Sequence, residues 1–500
     1  MKKLLVVITT IVANKGEVRD NKMAIKTAEE YYQSLKNLHP ATYILGEKVA
    51  NPYEHPLVKH QLAGVAETYA LAQEPEGEKY LVSKSSIVGE RVSRFVKFYE
   101  SVDDLIAKIK MLKFLSQNIG TCYMRCTGMD AINSVGIETY SCDKKYGTNY
   151  YKRLLKFVKY IQKNDLVVWS GVTDVKGDRS RRPSQQTDPD MYLHIVEKKK
   201  DGIVVRGAKI HQTGSLCAHM GLIVPGREMR EEDEDYAVCF AVPVDAEGII
   251  HIYGRGTLEA RPMENMDLGN IRFSKFAPIV IFDNVFVPWD RVFMCGEYEF
   301  AGSMARHFGN FHRHSHGGCK CGVGDILIGA AALVADYNGL SNVSHINNKL
   351  TEMIKTCQTI YGCSVAASVE AEPTDSGIYT VDPVLSNTSK LYEGKELHEV
   401  VRMLIEIAGG MVADVPSEKD FNSPDIGPFL HKYLRGVDNI STEDRVRLYR
   451  LIEKLAFESR DIVSNIHGAG SPETHKLTVL RNTDFESKKK MVKRLAGIEE

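Results

Sequence analysis

Two short stretches concentrate the residues best equipped for chemistry. GTCYMRCTGMDA, residues 120–131, contains Cys122 and Cys126. FGNFHRHSHGGCKCGVGDILIGAA, residues 308–331, sets His312, His314 and His316 ahead of paired glycines, Cys319 and Cys321. If the first stretch is helical, cysteines four apart share one face, about one turn from each other. His312 and Cys319 are seven apart, close to two helical turns, or the flanks of a bend at Gly317-Gly318. Three thiolates and one imidazole make a closed four-ligand set that suits tetrahedral zinc or an iron–sulfur cluster. The competing reading is a set of buried cysteines acting as small hydrophobes. Spacing does not choose among the three histidines. Cys321 is expected to point away from Cys319, and with Cys142, Cys217, Cys239, Cys295, Cys357 and Cys363 it reads as structural.

A second constellation is polar. GVTDVKGDRSRRPSQQ (171–186) and VVRGAKIHQTGS (204–215) place Gly, Thr, Asp, Arg and Ser in strand-to-loop settings. Such segments supply the backbone and hydroxyl donors that a pyrophosphate or flavin ring needs. No GxGxxG follows a strand, so a Rossmann site is not expected. The plain alternative is a polar turn with a solvated RSRR.

Three blocks must position these groups. Residues 1–165 read as an N-terminal helical domain, with apolar residues at three- and four-residue spacing in NKMAIKTAEEYYQSLKNL, HQLAGVAETYALAQ and VDDLIAKIKMLKFLSQNIG. Residues 166–298 carry short β-branched runs broken by Gly, Pro and Asp, and read as a middle, largely antiparallel β domain. Asp201-Gly202 within EKKKDGIVV is a hairpin signal. Residues 299–500 return to the helical period, with four segments long enough for a four-helix bundle.

Composition narrows the partners. A chain of 500 residues is too long for one core, and a net charge of −1 argues against nucleic acid or an anionic membrane. REMREEDED, residues 227–235, reads as a solvated loop. MKKLLVVITTIVANKG at the start looks superficially like a signal peptide, but its apolar run is short and lacks a small-residue cleavage site. No later stretch reads as a membrane span. Ten scattered cysteines fit a reducing, cytoplasmic compartment.

Taken together, the segments resemble the 4-hydroxybutyryl-CoA dehydratase / vinylacetyl-CoA isomerase family, within the wider 4-hydroxyphenylacetate 3-hydroxylase flavoprotein group. The resemblance rests on KYGTNYYKR, VEKKKDGIVVRGAKIHQTGS, DLGN, FDNVFVP, GVGDILIGAAALVADYNG and HGAGSP. It implies an α+β, acyl-CoA-dehydrogenase-like fold with a barrel-like middle domain, assembled as a homotetramer (a dimer of dimers). It also implies FAD, a [4Fe–4S] cluster and a short acyl-CoA substrate, dehydrated through a flavin-generated enoxy radical. The implied cluster ligands are Cys122, Cys126, His312 and Cys319. The implied flavin contacts are Thr173, Lys176, Asp178, Arg179, Ser180, His211, Gln212, Thr213 and Gly214, with Thr213 near the reactive ring edge. His312, released from iron, is a candidate base, and Lys320 a candidate for stabilising an anion.

The departures fall near the chemistry. Met124 stands where the family's dehydratase has glutamine, His316 where it has tyrosine, and Ser464 and Ala277 where it has glutamates. His316 is therefore expected to donate protons near neutral pH, with Glu264 or Glu458 as substitute carboxylates. Two other readings remain open. One is a flavin-only monooxygenase acting on phenols, which has no use for the cysteine and histidine set. The other is a non-catalytic redox or zinc protein on the same scaffold.

Overall fold

The computed structural model describes residues 25–253, 266 and 272–498. The opening MKKLLVVITTIVANKG, Glu264 and the DLGN motif therefore lie outside the described residues. Helix α1 (Ala28–Leu35) opens on a reciprocal capping box between Thr27 and Glu30. A hairpin, β1 (Ala41–Ile44) and β2 (Glu47–Val49), follows. Next come α2 (Pro56–Ala72), α3 (Pro75–Leu81) and a small ribbon of β3 (Val82–Lys84) with β4 (Arg91–Ser93). Three longer helices complete this part: α4 (Val102–Ile119), α5 (Cys126–Tyr146) and α6 (Tyr150–Lys163). Ser101 caps α4 at its start, and Gly120 ends it in the left-handed conformation that a side chain disfavours.

The middle strands are β5 (Val168–Gly171), β6 (His194–Lys198), β7 (Gly202–Lys209), β8 (Met220–Ile223), β9 (Val238–Pro243), β10 (Ile249–Ile252), β11 (Ile279–Pro288) and β12 (Val292–Cys295). They divide into a six-stranded sheet, β2-β1-β10-β11-β7-β6, and a four-stranded one, β12-β9-β8-β5. Among the described residues no closed barrel forms, and the barrel-like part of the expectation is not confirmed. The strands are short, and Phe240 of β9 meets Phe282 of β11 at 6.0 Å, so the two open sheets bury their apolar faces against each other. The hairpin at Asp201-Gly202 is present, with Lys198 opposite Ile203. Pairing is mostly antiparallel, but β1 lies parallel to β10 and β5 parallel to β8. The block expected to be helical thus lends two strands to the large sheet. Their tight turn at Leu45-Gly46 has positive φ at both residues.

Helix α7 (Tyr298–Tyr337) spans 40 residues and is the axis of the molecule. Against it pack α4, α5, α8 (Ser344–Val369) and α9 (Pro383–Ala408). After three short helices, α10 (Met411–Asp414), α11 (Glu418–Phe421) and α12 (Gly427–Tyr433), come α13 (Thr442–Phe457), α14 (Ser459–His467), α15 (Pro472–Asn482) and α16 (Phe485–Ala496). The last expected helix is split in two, α13 and α14, at Glu458, whose φ and ψ are extended. By length and composition α7 would suffice to cross a membrane, but a core helix meets the same condition, and Leu327, Ala331, Val334 and Ala335 are buried in the core while Leu333 is exposed.

The motif at 312–322 therefore lies inside a helix rather than at its start, and Gly317-Gly318 is not a bend. These glycines let neighbouring helices approach. A methyl group at Gly317 would lie 1.7 Å from Ser364 Oγ of α8, and one at Gly318 2.7 Å from the Ile109 carbonyl of α4. The two adjacent glycines thus let α8 and α4 approach neighbouring sides of α7 closely.

Candidate active site

A cavity of about 1090 Å³ lies where α5, α7, the β5 and β7 loops and the 458–482 segment meet. Cys122, Cys126, His312 and Cys319 all border it, as do Thr173, Lys176, Arg179, His211, Gln212 and Thr213. The two constellations of the sequence share one space. Asp178, Ser180 and Gly214 are not on its wall. Asp178 Oδ1 accepts from the Ser180 hydroxyl at 2.6 Å and the Ser180 amide at 3.0 Å, closing an exposed turn. Gly214, at φ +80°, packs beneath the cysteine turn, where a Cβ would sit 2.7 Å from Met124 Cβ.

Cys122 and Cys126 do not share a helix. Cys126 opens α5, and Cys122 precedes it in a loop that turns at Met124, φ +59°. That turn lets Cys122 Sγ accept from the Met124 amide at 3.4 Å. Hydrogen bonding from Cys126 draws Cys122 below its ordinary range, and Cys126 is itself pushed up. Cys319 is pushed up to about 12 by burial. Cys321 is buried and off the cavity wall, as expected.

His312 is the imidazole of the three histidines that faces the cavity with built-in support. Its Nδ1 lies 2.9 Å from Asp130 Oδ2. Asp130 is fully buried and also receives Lys108 Nζ at 2.7 Å, the Tyr99 hydroxyl at 2.9 Å and the Ser315 hydroxyl at 2.8 Å. Burial alone would raise this carboxyl, but Lys108 and His312 hold it well below the usual carboxylate range. An ionised carboxylate only accepts, so Nδ1 carries the proton and the lone pair is on Nε2. Such an arrangement orients a metal-binding imidazole. His314 points the other way, with Nε2 2.7 Å from Ser368 Oγ.

His316, expected from its sequence position to donate protons near neutral pH, also borders the cavity. Burial pushes it down to about 3. Its Nδ1 lies 3.1 Å from Glu393 Oε1, and its ring stands edge-on to His312 at 5.3 Å. Burial would raise Glu393, yet Lys390 at 3.0 Å and His316 hold it down to about 2. His316 is thus a neutral imidazole fixed by a buried ion pair. Lys320 donates to Ser464 Oγ at 3.3 Å. Burial alone would lower Lys320, but Asp461 and Cys319 outweigh it, so it stays charged.

Other expectations are corrected by packing. Asp233 in REMREEDED is fully buried, and it binds the Arg182 Nε at 2.9 Å and the Ser184 hydroxyl at 2.7 Å. That loop is therefore not simply solvated, and Arg182 of RSRR is used in holding it. Glu458 is ion-paired with Lys454 at 2.9 Å. Ala277 is buried away from the cavity wall. Asp130, Glu393 and Asp461 were not singled out from the sequence. For Asp130 a signal existed, since it lies four residues after Cys126, on the same helical face.

Residues 27–294 match the family described as 4-hydroxyphenylacetate 3-hydroxylase N terminal, and residues 301–497 the corresponding C terminal. The chain belongs to the 4-hydroxyphenylacetate 3-hydroxylase family. Within it, the chain is 45% identical to the 4-hydroxybutyryl-CoA dehydratase/vinylacetyl-CoA-Δ-isomerase of Clostridium aminobutyricum, over 95% of this chain and 100% of that protein. A solved oxygen-tolerant archaeal 4-hydroxybutyryl-CoA dehydratase from N. maritimus superposes with a TM-score of 0.93 at 42% identity, covering 95% of this chain and 96% of that one. More distant is the oxygenase component of 4-hydroxyphenylacetate 3-monooxygenase from Thermus thermophilus, 29% identical over 85% of this chain and 87% of its own. A structure of such an oxygenase complexed with FAD gives a TM-score of 0.83 at 25% identity, covering 94% and 98%.

Proposed function

We propose that this protein is a dehydratase of a short acyl-CoA with isomerase activity, of the type that converts 4-hydroxybutyryl-CoA to crotonyl-CoA. The observation that carries this reading is the meeting of Cys122, Cys126, His312 and Cys319 with the Thr173 and Thr213 loops around one cavity. The 45% identity along the chain to a dehydratase/isomerase supports it. A flavin-only hydroxylase has no need of the three thiols and the Asp130-backed imidazole, so the dehydratase reading is the better supported.

The chemistry of the donor set is what supports an iron–sulfur cluster: three thiols and one imidazole border the same cavity, and such side chains are the ligands these clusters take. Cys122, Cys126, Cys319 and His312 Nε2 would hold it, and Thr173, Lys176, Arg179, His211, Gln212 and Thr213 would line the flavin. When bound, FAD supplies one-electron exchange and the cluster a Lewis-acidic iron for the departing oxygen.

The chain's own groups then divide the work. Asp130 keeps His312 in the tautomer whose Nε2 lone pair serves as ligand or, when displaced, as proton acceptor. Lys320, kept charged beside Asp461, offers a cation to a developing enolate oxygen. His316 and Glu393 shape the wall behind His312 and do not exchange protons near neutral pH.

A homotetramer is part of the proposal. It is supported by apolar side chains left exposed on α16, among them Leu495 at 83% and Val492 at 62%. So is a cytoplasmic setting, supported by cysteines that are all free of disulfides. The test is anaerobic incubation with 4-hydroxybutyryl-CoA and, separately, vinylacetyl-CoA, following crotonyl-CoA by mass spectrometry. Turnover of both is expected. Turnover of neither, with flavin and iron present, would sink the reading.

A further inference from the structure

Arg313 follows His312 in α7 and borders the cavity, with 5% of its surface exposed. Several other buried cations have an acidic partner: Lys108 has Asp130, Lys390 has Glu393 and Lys209 has Asp174, while Lys320, which donates to Ser464, has Asp461 as a charged neighbour. Arg125 instead lies over the rings of Tyr69 and Phe95, each 4.4 Å from its guanidinium carbon. Arg313 has neither among the described residues. Its Nε donates to the Ala469 carbonyl at 3.1 Å and its Nη1 to Asn310 Oδ1 at 3.4 Å. An uncompensated buried charge is costly.

Two glycines pack close against the guanidinium, where a side chain would crowd Nη2. A Cβ at Gly309 would come within 3.0 Å of Nη2, and one at Gly470 within 3.3 Å. Gly470 has φ +110°, and Ala469, whose carbonyl receives Nε, has φ +62°. The chain therefore accepts an uncommon backbone turn beside a cavity-lining cation whose Nη2 has no acceptor among the described residues.

We propose that Arg313 binds an oxyanion, and that its Nη2 edge receives a phosphate or carboxylate of the ligand held in the cavity. The planar fork of arginine suits both groups, and the bound anion supplies the missing counter-charge. This assignment rests on reading the cavity as a flavin and acyl-CoA site, and it names the chemistry of one contact there. The anion is either a phosphate, from FAD or CoA, or a carboxylate carried on the acyl chain.

The test compares the unaltered holoenzyme with Arg313→Met and Arg313→Lys. Three quantities are measured without turnover: flavin per chain, and the affinities for butyryl-CoA and succinyl-CoA by calorimetry. Loss of a charged hydrogen bond predicts weakening of roughly tenfold or more in Arg313→Met, with partial recovery in Arg313→Lys. A fall in flavin alone assigns the FAD pyrophosphate. Equal weakening of both thioesters assigns a CoA phosphate, and weakening of succinyl-CoA alone assigns an acyl carboxylate. Flavin content and both affinities within twofold of the unaltered protein would overturn the proposal, as would failure of the unaltered protein to bind any of the three. If Arg313→Met does not fold, Arg313→Lys is judged by the same limits. Because no readout is turnover, binding without dehydration would refute the functional reading and leave the oxyanion contact standing.

Discussion

Replacing Asp130 by asparagine removes one charge and leaves nearly the same volume, so it isolates what that carboxylate does. Asp130 is wholly buried and receives Lys108, Tyr99, His312 and Ser315. Two consequences follow from different parts of that set. Lys108, also wholly buried, keeps the Phe311 carbonyl at 2.9 Å and the Tyr99 and Phe311 rings but no counter-charge, and an unpaired buried ammonium costs about 3–5 kcal/mol of stability. Separately, His312 loses the carboxylate that fixes its tautomer, and loss of such a partner weakens metal affinity or activity about 10–100-fold. The two effects separate in a second variant, Lys108→Met with Asp130→Asn, which removes the stranded cation. Denaturant unfolding should show the single variant destabilised and the double variant largely restored. Iron released to a chelator under anaerobic conditions should be faster in both. Iron retention in Asp130→Asn equal to that of the unaltered protein would refute the argument that this carboxylate orients a ligand.

Three further expectations follow from particular contacts. Gly317→Ala places a methyl group 1.7 Å from Ser364 Oγ, so thermal unfolding should show a loss of about 1–3 kcal/mol, which Ser364→Gly in the same chain should relieve. Gly214→Ala forces a left-handed residue against Met124 at about 1–2 kcal/mol; flavin content and iron content should fall together, because the flavin loop and the cysteine turn touch there. The third concerns acid stability. Burial pushes His219 down to about 3 and His251 down to about 4, from an ordinary value of 6.5. The unfolded chain then binds protons that the fold refuses, so stability rises with pH from about 3 to 6.5 and is flat above. Melting at pH 4.5, 5.5, 6.5 and 7.5 should show this slope, and His251→Gln should reduce it; a midpoint constant from pH 4.5 to 6.5 would contradict the assignment.

The order of helices, strands and helices was legible in the sequence because it rests on local periodicity, and the hairpin at Asp201-Gly202 because its turn residues are local. What was not legible depends on partners far along the chain. The parallel pairing of β1 with β10 joins residues more than two hundred positions apart. The sequence left His312 and Cys319 either two helical turns apart or flanking a bend at Gly317-Gly318, because glycines disfavour helix in isolation; only the approach of Ser364 and Ile109 explains them inside α7. His316 read as a neutral-pH acid because its ordinary pKa suits that role, whereas its burial beside Glu393 and Lys390 comes from α9. The ligand set itself was read through a family resemblance, since spacing left His312, His314 and His316 equal. The bond from His312 to Asp130, and that from His314 to Ser368, separate the two by structure.

The proposed chemistry depends on Cys122, Cys126, Cys319 and His312 holding an iron–sulfur cluster in this cavity. Iron and acid-labile sulfide, measured in anaerobically purified protein beside a Cys319→Ser variant and a Cys321→Ser control, decide whether they do. About four iron and four sulfide per chain are expected in the unaltered protein and in the control, with a large loss in Cys319→Ser. Iron without sulfide, or an iron and sulfide content that Cys319→Ser leaves unchanged, would contradict it.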